Sequence, residues 1–384
     1  MKKLLCLGLS MILALSCLTA CGGGNADAGA ADVFKIGGIG PLTGGAAAYG
    51  DAVNKGAQIA VEEINANGGI NGYQVEWKME DDEHDAEKSV NAYNTLKDWG
   101  MQMLVGTVTS APCIAVEAEA VNDNMFLITP SGTAVDCING ANAFRLCFSD
   151  PAQGGKSAEY IGANNIASKV AVIYDSSDPY SSGIYESFKA EAPNQGIEVV
   201  SAEAFTSDSK TDFKVQLQKA KESGAELLFL PIYYQEASLI LQQANDIGFA
   251  PIIFGCDGLD GILGVENFDT SLCEGVMLLT PFAADAQDEL TQNFVKAYAE
   301  KSNGEIPMQF AADAYDAVYA VKAALEAAGA TPDMSASDLC DAIVAQMTNI
   351  KVSGLTGEIT WDASGEPNKE PKAVIIENGA YKAM

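Results

Sequence analysis

Short apolar runs that end in glycines or hydroxyl residues alternate with stretches of helical spacing along most of this chain. Residues 33–40 read as a strand ending in glycines. From about Tyr49 a helix follows, with Val53, Ala57, Ala60, Val61 and Ile64 on one face and Asn67-Gly68-Gly69 as its stop. Residues 74–81 read as a strand and 86–99 as a helix. Residues 101–105, 113–121 and 125–128 then read as strand, helix and strand. This repeated alternation predicts a parallel α/β unit with helices on both faces. A short strand at 144–148 leads to Asp150-Pro151, where the alternation starts again. Helices are expected at 152–164, 185–192, 213–223 and 237–247. Strands are expected at 169–174, 197–202, 226–230, 251–256 and 275–280.

Three helical stretches then come without strands between them, at 290–301, 310–328 and 336–347. They need a sheet built elsewhere, and the first one is available. The last strands, 358–361 and 372–376, are then free to return to the second sheet. The expected fold class is α/β, two doubly wound parallel-sheet lobes with a hinge of several strands and a cleft between their carboxyl edges. The first lobe takes residues 33–147 and 282–355, the second 148–281 and 356–384.

The leader breaks this pattern. Lys2 and Lys3 precede an apolar run, residues 4–15, that is short of the ~20 residues needed to span a bilayer. It reads as the core of a secretory signal covering residues 1–20. Leu18-Thr19-Ala20-Cys21 looks like a bacterial lipobox, with Cys21 as the lipidation site and residues 21–32 as a flexible tether. The expected location is extracytoplasmic, with the chain anchored to the cell membrane as a lipoprotein.

A net charge of −30 argues against nucleic-acid binding, which needs a basic footprint. Beyond the leader stand Cys113, Cys137, Cys147, Cys256, Cys273 and Cys340, with no C-x-x-C and a single histidine, so no metal site is expected. Cys256 with Cys273, and Cys137 with Cys147, close the shortest loops and are the candidate disulfides. The alternative is six buried thiols. Gly38-Ile39-Gly40-Pro41-Leu42-Thr43 lacks the last glycine of a dinucleotide fingerprint, and no cofactor is expected. Without a G-x-S-x-G elbow or a P-loop, and with His84 in an acidic loop, an exported hydrolase is disfavoured.

Two stretches carry candidate binding chemistry: Gly106-Thr107-Val108-Thr109-Ser110 and Thr129-Pro130-Ser131-Gly132-Thr133. Each follows an apolar run, at the strand edge a cleft would use. Hydroxyls and free backbone N–H groups at a helix start make a cradle for a carboxylate. In the plainer reading Ser110 caps the helix beginning near Pro112 and Thr129-Pro130 is a turn.

At Tyr49-Gly50-Asp51, Asn65 through Gly72, Thr129-Pro130 and Gly357 through Asp362 the chain resembles the type I periplasmic binding proteins of ABC transporters, in the leucine/isoleucine/valine-binding branch. The resemblance implies two lobes joined by a three-strand hinge. It also implies a monomeric receptor, not an enzyme, that delivers an L-amino acid to an importer permease. It assigns the ligand carboxylate to Ser110, Ser131 and Thr133, and the ammonium to Asp257 and Tyr233. Tyr180 would close over the ligand, and Tyr49 would line its side-chain pocket. Four positions depart from that family: Asp257 stands where a glutamate is usual, His84 and Thr109 where some members place a disulfide, and Ser131 where a small apolar residue is usual. An amide, urea or aromatic acid on the same fold is the alternative ligand, and sensing is the alternative use.

Overall fold

A computed structural model describes residues 33–384, and the lipobox with Cys21 lies outside them. The first lobe begins β1 (Val33–Gly40), α1 (Ala47–Ala66), β2 (Gln74–Asp81), α2 (Ala86–Trp99), β3 (Met103–Val105), α3 (Ser110–Asp123), β4 (Leu127–Thr129) and β5 (Ala143–Arg145). All pairings in this sheet are parallel, in the order β2-β1-β3-β4-β5. The second lobe follows as α4 (Asp150–Ala163), β6 (Lys169–Asp175), α5 (Pro179–Glu191), β7 (Glu198–Phe205), α6 (Lys214–Glu222), β8 (Leu227–Leu230), α7 (Tyr234–Asp246), β9 (Ile252–Gly255) and β10 (Met277–Thr280). Strands β3, β4 and β8 are short and wholly buried, as strands covered on both faces must be.

The chain then returns to the first lobe through α8 (Glu289–Lys301), α9 (Gln309–Ala328) and α10 (Ala336–Met347). Helix α9 packs along α1, and both α9 and α10 touch β3. The close approach is made at Gly56, where a Cβ would stand 2.0 Å from the Ala311 carbonyl oxygen. The Asn-Gly-Gly-Ile-Asn-Gly segment supports the same packing. Asn71, at φ 51°, reaches across with its amide to the carbonyls of Leu325 and Ala330 at the end of α9.

A ribbon of β11 (Val352–Gly354) and β12 (Gly357–Ile359) precedes β13 (Lys372–Glu377) and β14 (Ala380–Ala383). The second sheet runs β14-β13-β10-β9-β8-β6-β7, with β6 to β10 parallel and β13 and β14 antiparallel. Two expectations are corrected here. The strand at 358–361 does not join the second sheet, because Gly357–Ile359 pairs with β11 instead. The turn before it is held on α9, where Asp316 accepts from the N–H groups of Leu355 and Thr356 and from the Thr356 hydroxyl. The strand at 144–148 ends at Arg145, and the residues beyond it form the first of three passages between the lobes.

One face of each sheet has its own apolar core. A third cluster runs from the other faces of both sheets through Tyr49, Ile232, Tyr234, Phe282 and Phe310. The expected disulfides are not formed: all six cysteines are unpaired and buried. Among the described residues no helix is long and apolar enough to cross a membrane.

Candidate functional site

The loops after β3 and β4 are laced together. Thr129 Oγ1 donates to the Thr107 carbonyl at 2.7 Å and accepts from Gly132 N at 2.7 Å. Ser131 Oγ donates to the Val108 carbonyl at 2.7 Å. Ser110 Oγ accepts from Ala134 N at 3.2 Å. Ser110 does not cap α3, as the plainer reading expected: the helix starts at Ser110 itself, with Thr109 at the N-cap position, which frees Ser110 to tie the two loops. Thr109 Oγ1 pairs with His84 Nδ1 at 2.8 Å.

Beneath this cradle lies Arg145, the only arginine in the chain and wholly buried. Its Nη1 donates to the carbonyls of Gly132 and Thr133, and its Nη2 to that of Ala134 at 3.0 Å. Its Nε lies 3.2 Å from a Glu366 carboxylate oxygen. In a trans peptide the N–H points opposite to the C=O, so the Gly132 carbonyl on Arg145 turns the Thr133 N–H away from the cation. Arginine therefore fixes the loop's orientation from behind. Thr133 Oγ1 is buried and has no partner.

The second lobe supplies a wall of aromatic rings and acids. Asp178 is the N-cap of α5, accepting from Tyr180 N, and so sets Tyr180 at the helix start. The Tyr180 hydroxyl donates to Asp257 Oδ1 at 2.8 Å and accepts from Gly258 N at 2.9 Å. Its ring stacks on Tyr233 with centroids 4.7 Å apart and planes within 9°. Tyr49 crosses from the first lobe to donate to the Gly258 carbonyl at 2.5 Å, and its ring stacks on Phe310 at 4.2 Å. Tyr233 lies edge-on to both Tyr49 and His84, and its hydroxyl is buried without a partner.

Two residues not singled out in the sequence join the halves. Asp150, the first residue of α4, donates its backbone N–H to the Thr133 carbonyl at 2.9 Å, while both of its buried carboxylate oxygens lack a partner. Gln153, one turn on, accepts from Asp257 N at 3.0 Å and leaves its own amide nitrogen unpaired. The only hint of Asp150 was Ser149-Asp150-Pro151, a helix-start signature. Arg145 was visible as a lone charge inside an apolar run. Ser110, Ser131 and Thr133 thus gather on the first-lobe loops, and Tyr49, Tyr180, Tyr233 and Asp257 form one contact network across from them.

The acids are out of their ordinary range. Burial pushes Asp257 up to about 6, against the opposing bond from the Tyr180 hydroxyl. Burial also raises Asp178, to about 7. Asp150 is raised well above the usual carboxylate range by burial, with the Asp257 charge adding to it. Desolvated carboxylates without a cation take up protons, and a bound ammonium reverses that. Orphaned hydroxyl and acid groups facing a loop of N–H donors suit a small zwitterion.

The family model for periplasmic binding proteins matches residues 33–374. Leu/Ile/Val-binding protein homolog 3 of Brucella melitensis is 35% identical over 321 residues, which is 82% of this chain and 84% of that protein. The crystal structure of the branched-chain amino acid transporter substrate-binding protein LivJ from Streptococcus pneumoniae, in complex with isoleucine, superposes with a TM-score of 0.82. It is 30% identical, covering 91% of this chain and 98% of that one. A leucine-binding protein, LivK, from Thermotoga maritima gives a TM-score of 0.81 at 27% identity, over 91% and 97% of the two chains. With the fold, the two-lobed cleft and these likenesses together, the chain belongs to the periplasmic binding protein family.

Proposed function

We propose that the protein is an extracytoplasmic receptor that closes on a small aliphatic L-amino acid and hands it to an ABC importer. The observation that carries this reading is the partnerless Thr133 hydroxyl, on the loops that carry Ser110 and Ser131, together with the uncompensated acids Asp257 and Asp150. Relatives described as binding leucine, isoleucine and valine support it.

The ligand carboxylate meets the cradle, with the Arg145 cation behind the loop. The ammonium meets Asp257, which Tyr180 holds in place. Asp150 and Asp257 act as a coupled pair: one ammonium neutralises one charge, and the other carboxyl keeps its proton. Tyr49, Tyr233 and Phe310 form the wall against the ligand's side chain. Hydrogen bonds to charged groups contribute about 1.5–3 kcal/mol each, so three or four carry micromolar binding, about −8 kcal/mol, after ordering costs.

An amide, urea or aromatic acid supplies no ammonium and leaves both acids uncompensated, so the geometry favours the amino acid. Lipidation of Cys21 would keep the receptor at the membrane surface and limit its search for the permease. Loss of detergent partitioning in Cys21→Ser tests that anchor. The ligand is tested by a thermal-shift panel of L-amino acids, amides and aromatic acids. A ligand at about 100 times its Kd stabilises by about 2.7 kcal/mol. Isoleucine, leucine or valine should give the largest shift. A panel in which only ligands lacking an ammonium shift the melting temperature would sink the reading.

A further inference from the structure

A second cavity of about 800 Å³ opens between the lobes, sharing none of the cleft residues Ser110, Ser131, Thr133, Asp150, Tyr180 or Asp257. Tyr49 stands between the two spaces: its ring packs on Tyr233 of the cleft at 5.8 Å and on Tyr234 of the cavity wall at 4.9 Å. The walls come from both lobes, with Met308 at the start of α9 on one side and Leu263, Phe282 and Val374 on the other. Its size and largely apolar walls are those of a small-molecule site.

The charged groups of this cavity are one-sided. Asp51, Asp260, Glu266, Asp285 and Glu305 line it, and no lysine, arginine or histidine does. Lys55 reaches in from α1 to Asp51 at 2.5 Å and Glu305 at 3.3 Å, which leaves Asp260, Glu266 and Asp285 without a cation among the described residues. Asp260 is buried and receives the Gln309 N–H at 2.9 Å, and burial pushes its carboxyl up to about 6. Glu266 and Asp285 are exposed at the mouth. An apolar interior with an acid at depth and acids around the rim selects a cation attached to an apolar body.

We infer that this cavity is a second ligand site, for an organic amine with an apolar body, separate from the amino-acid cleft. An amine held there would touch both lobes and so favour the closed arrangement, the same arrangement that the cleft ligand favours. Such a ligand raises affinity at the cleft without entering it, and the effect is reciprocal.

Phenethylammonium chloride is the probe, titrated calorimetrically into the full chain, with 3-phenylpropionate as the oppositely charged control. The amine should bind saturably and the acid should not. Leu263→Trp, which fills the cavity, should weaken the amine by about tenfold or more, while Asp257→Asn in the cleft leaves it unchanged. Glu266→Gln with Asp285→Asn, both at exposed positions, should weaken it several-fold and flatten its salt dependence. That pair serves if Leu263→Trp does not fold. No saturable amine binding would overturn the inference. So would loss of amine binding in Asp257→Asn with retention in Leu263→Trp, because the amine would then sit in the cleft. Neither result depends on which amino acid the cleft takes.

Discussion

The two sides of the cleft are built on opposite principles. On the first-lobe side the hydroxyls of Ser110, Thr129 and Ser131 already have protein partners, and Arg145 holds the loop carbonyls from below. On the second-lobe side Asp150, Gln153 and Tyr233 keep buried polar atoms unpaired, and the acids there are raised by burial. Apart from Thr133 Oγ1, one side is finished before the ligand arrives; the other is completed by it. A receptor gains from this division: a rigid half fixes ligand orientation, and an unsatisfied half makes closure without ligand costly.

That contrast is open to attack at specific residues. The largest effect is expected from Arg145→Met, which removes a buried cation from the carbonyls of Gly132, Thr133, Ala134 and Val135 and from Glu366. It should cost about 3–5 kcal/mol of stability, measured by denaturant unfolding, and unchanged stability would show that the cradle stands without it. Next, Asp257→Asn should weaken amino-acid binding by about 3 kcal/mol, roughly a hundredfold, with little change in melting temperature. Equal losses of binding and stability would erase the distinction between the two sides. Tyr180→Phe removes both bonds that position Asp257 and Gly258 and should cost about 1–2 kcal/mol in affinity by calorimetry. Thr133→Val sharpens the point, because Thr133 Oγ1 has no partner in the protein. It should leave apo stability unchanged or slightly raised and lower affinity by about 1 kcal/mol.

The smallest effect per group is pH dependence. Asp82, Asp178 and Asp313 are raised by burial to about 7, and Asp257 and Asp260 to about 6. Free aspartate titrates near 3.9, so the folded apo protein binds more protons than the unfolded chain between those values. Its stability is therefore greatest on the acid side of that window and is lost as pH rises through 6 to 7. His84, lowered to about 4 by burial, acts in reverse as pH falls below 6.5, but it is one group against these several acids. The melting temperature of the apo protein should be higher at pH 5.5 than at pH 7.5. Amino-acid affinity should run the other way, falling below about pH 6 as Asp257 takes up its proton. Parallel trends would remove Asp257 from the ammonium site.

Much of the lobe architecture was legible in the chain because short buried strands and amphipathic helices leave distinct periodicities. The 336–347 helix and the return of the late helices to the first lobe followed from that alone. Pairing partners at the sheet edge did not: residues 358–361 look like any strand, but Gly357–Ile359 pair with β11 beside a turn that Asp316 holds on α9. The hydroxyls and tyrosines of the site were visible as polar residues just past apolar runs. Asp150 and Gln153 were not, since they sit on a helix whose start signature explained them fully.

The sequence by itself determined the alternation of strand and helix, the strongly acidic surface and the hydroxyl-rich strand ends, all of them local patterns of one or two turns. Tertiary structure decided the rest, because burial and partnership are not properties of a residue. Arg145 became the support of a loop and Asp150 an uncompensated acid only when two lobes, joined by three passages of the chain, excluded water from the space between them.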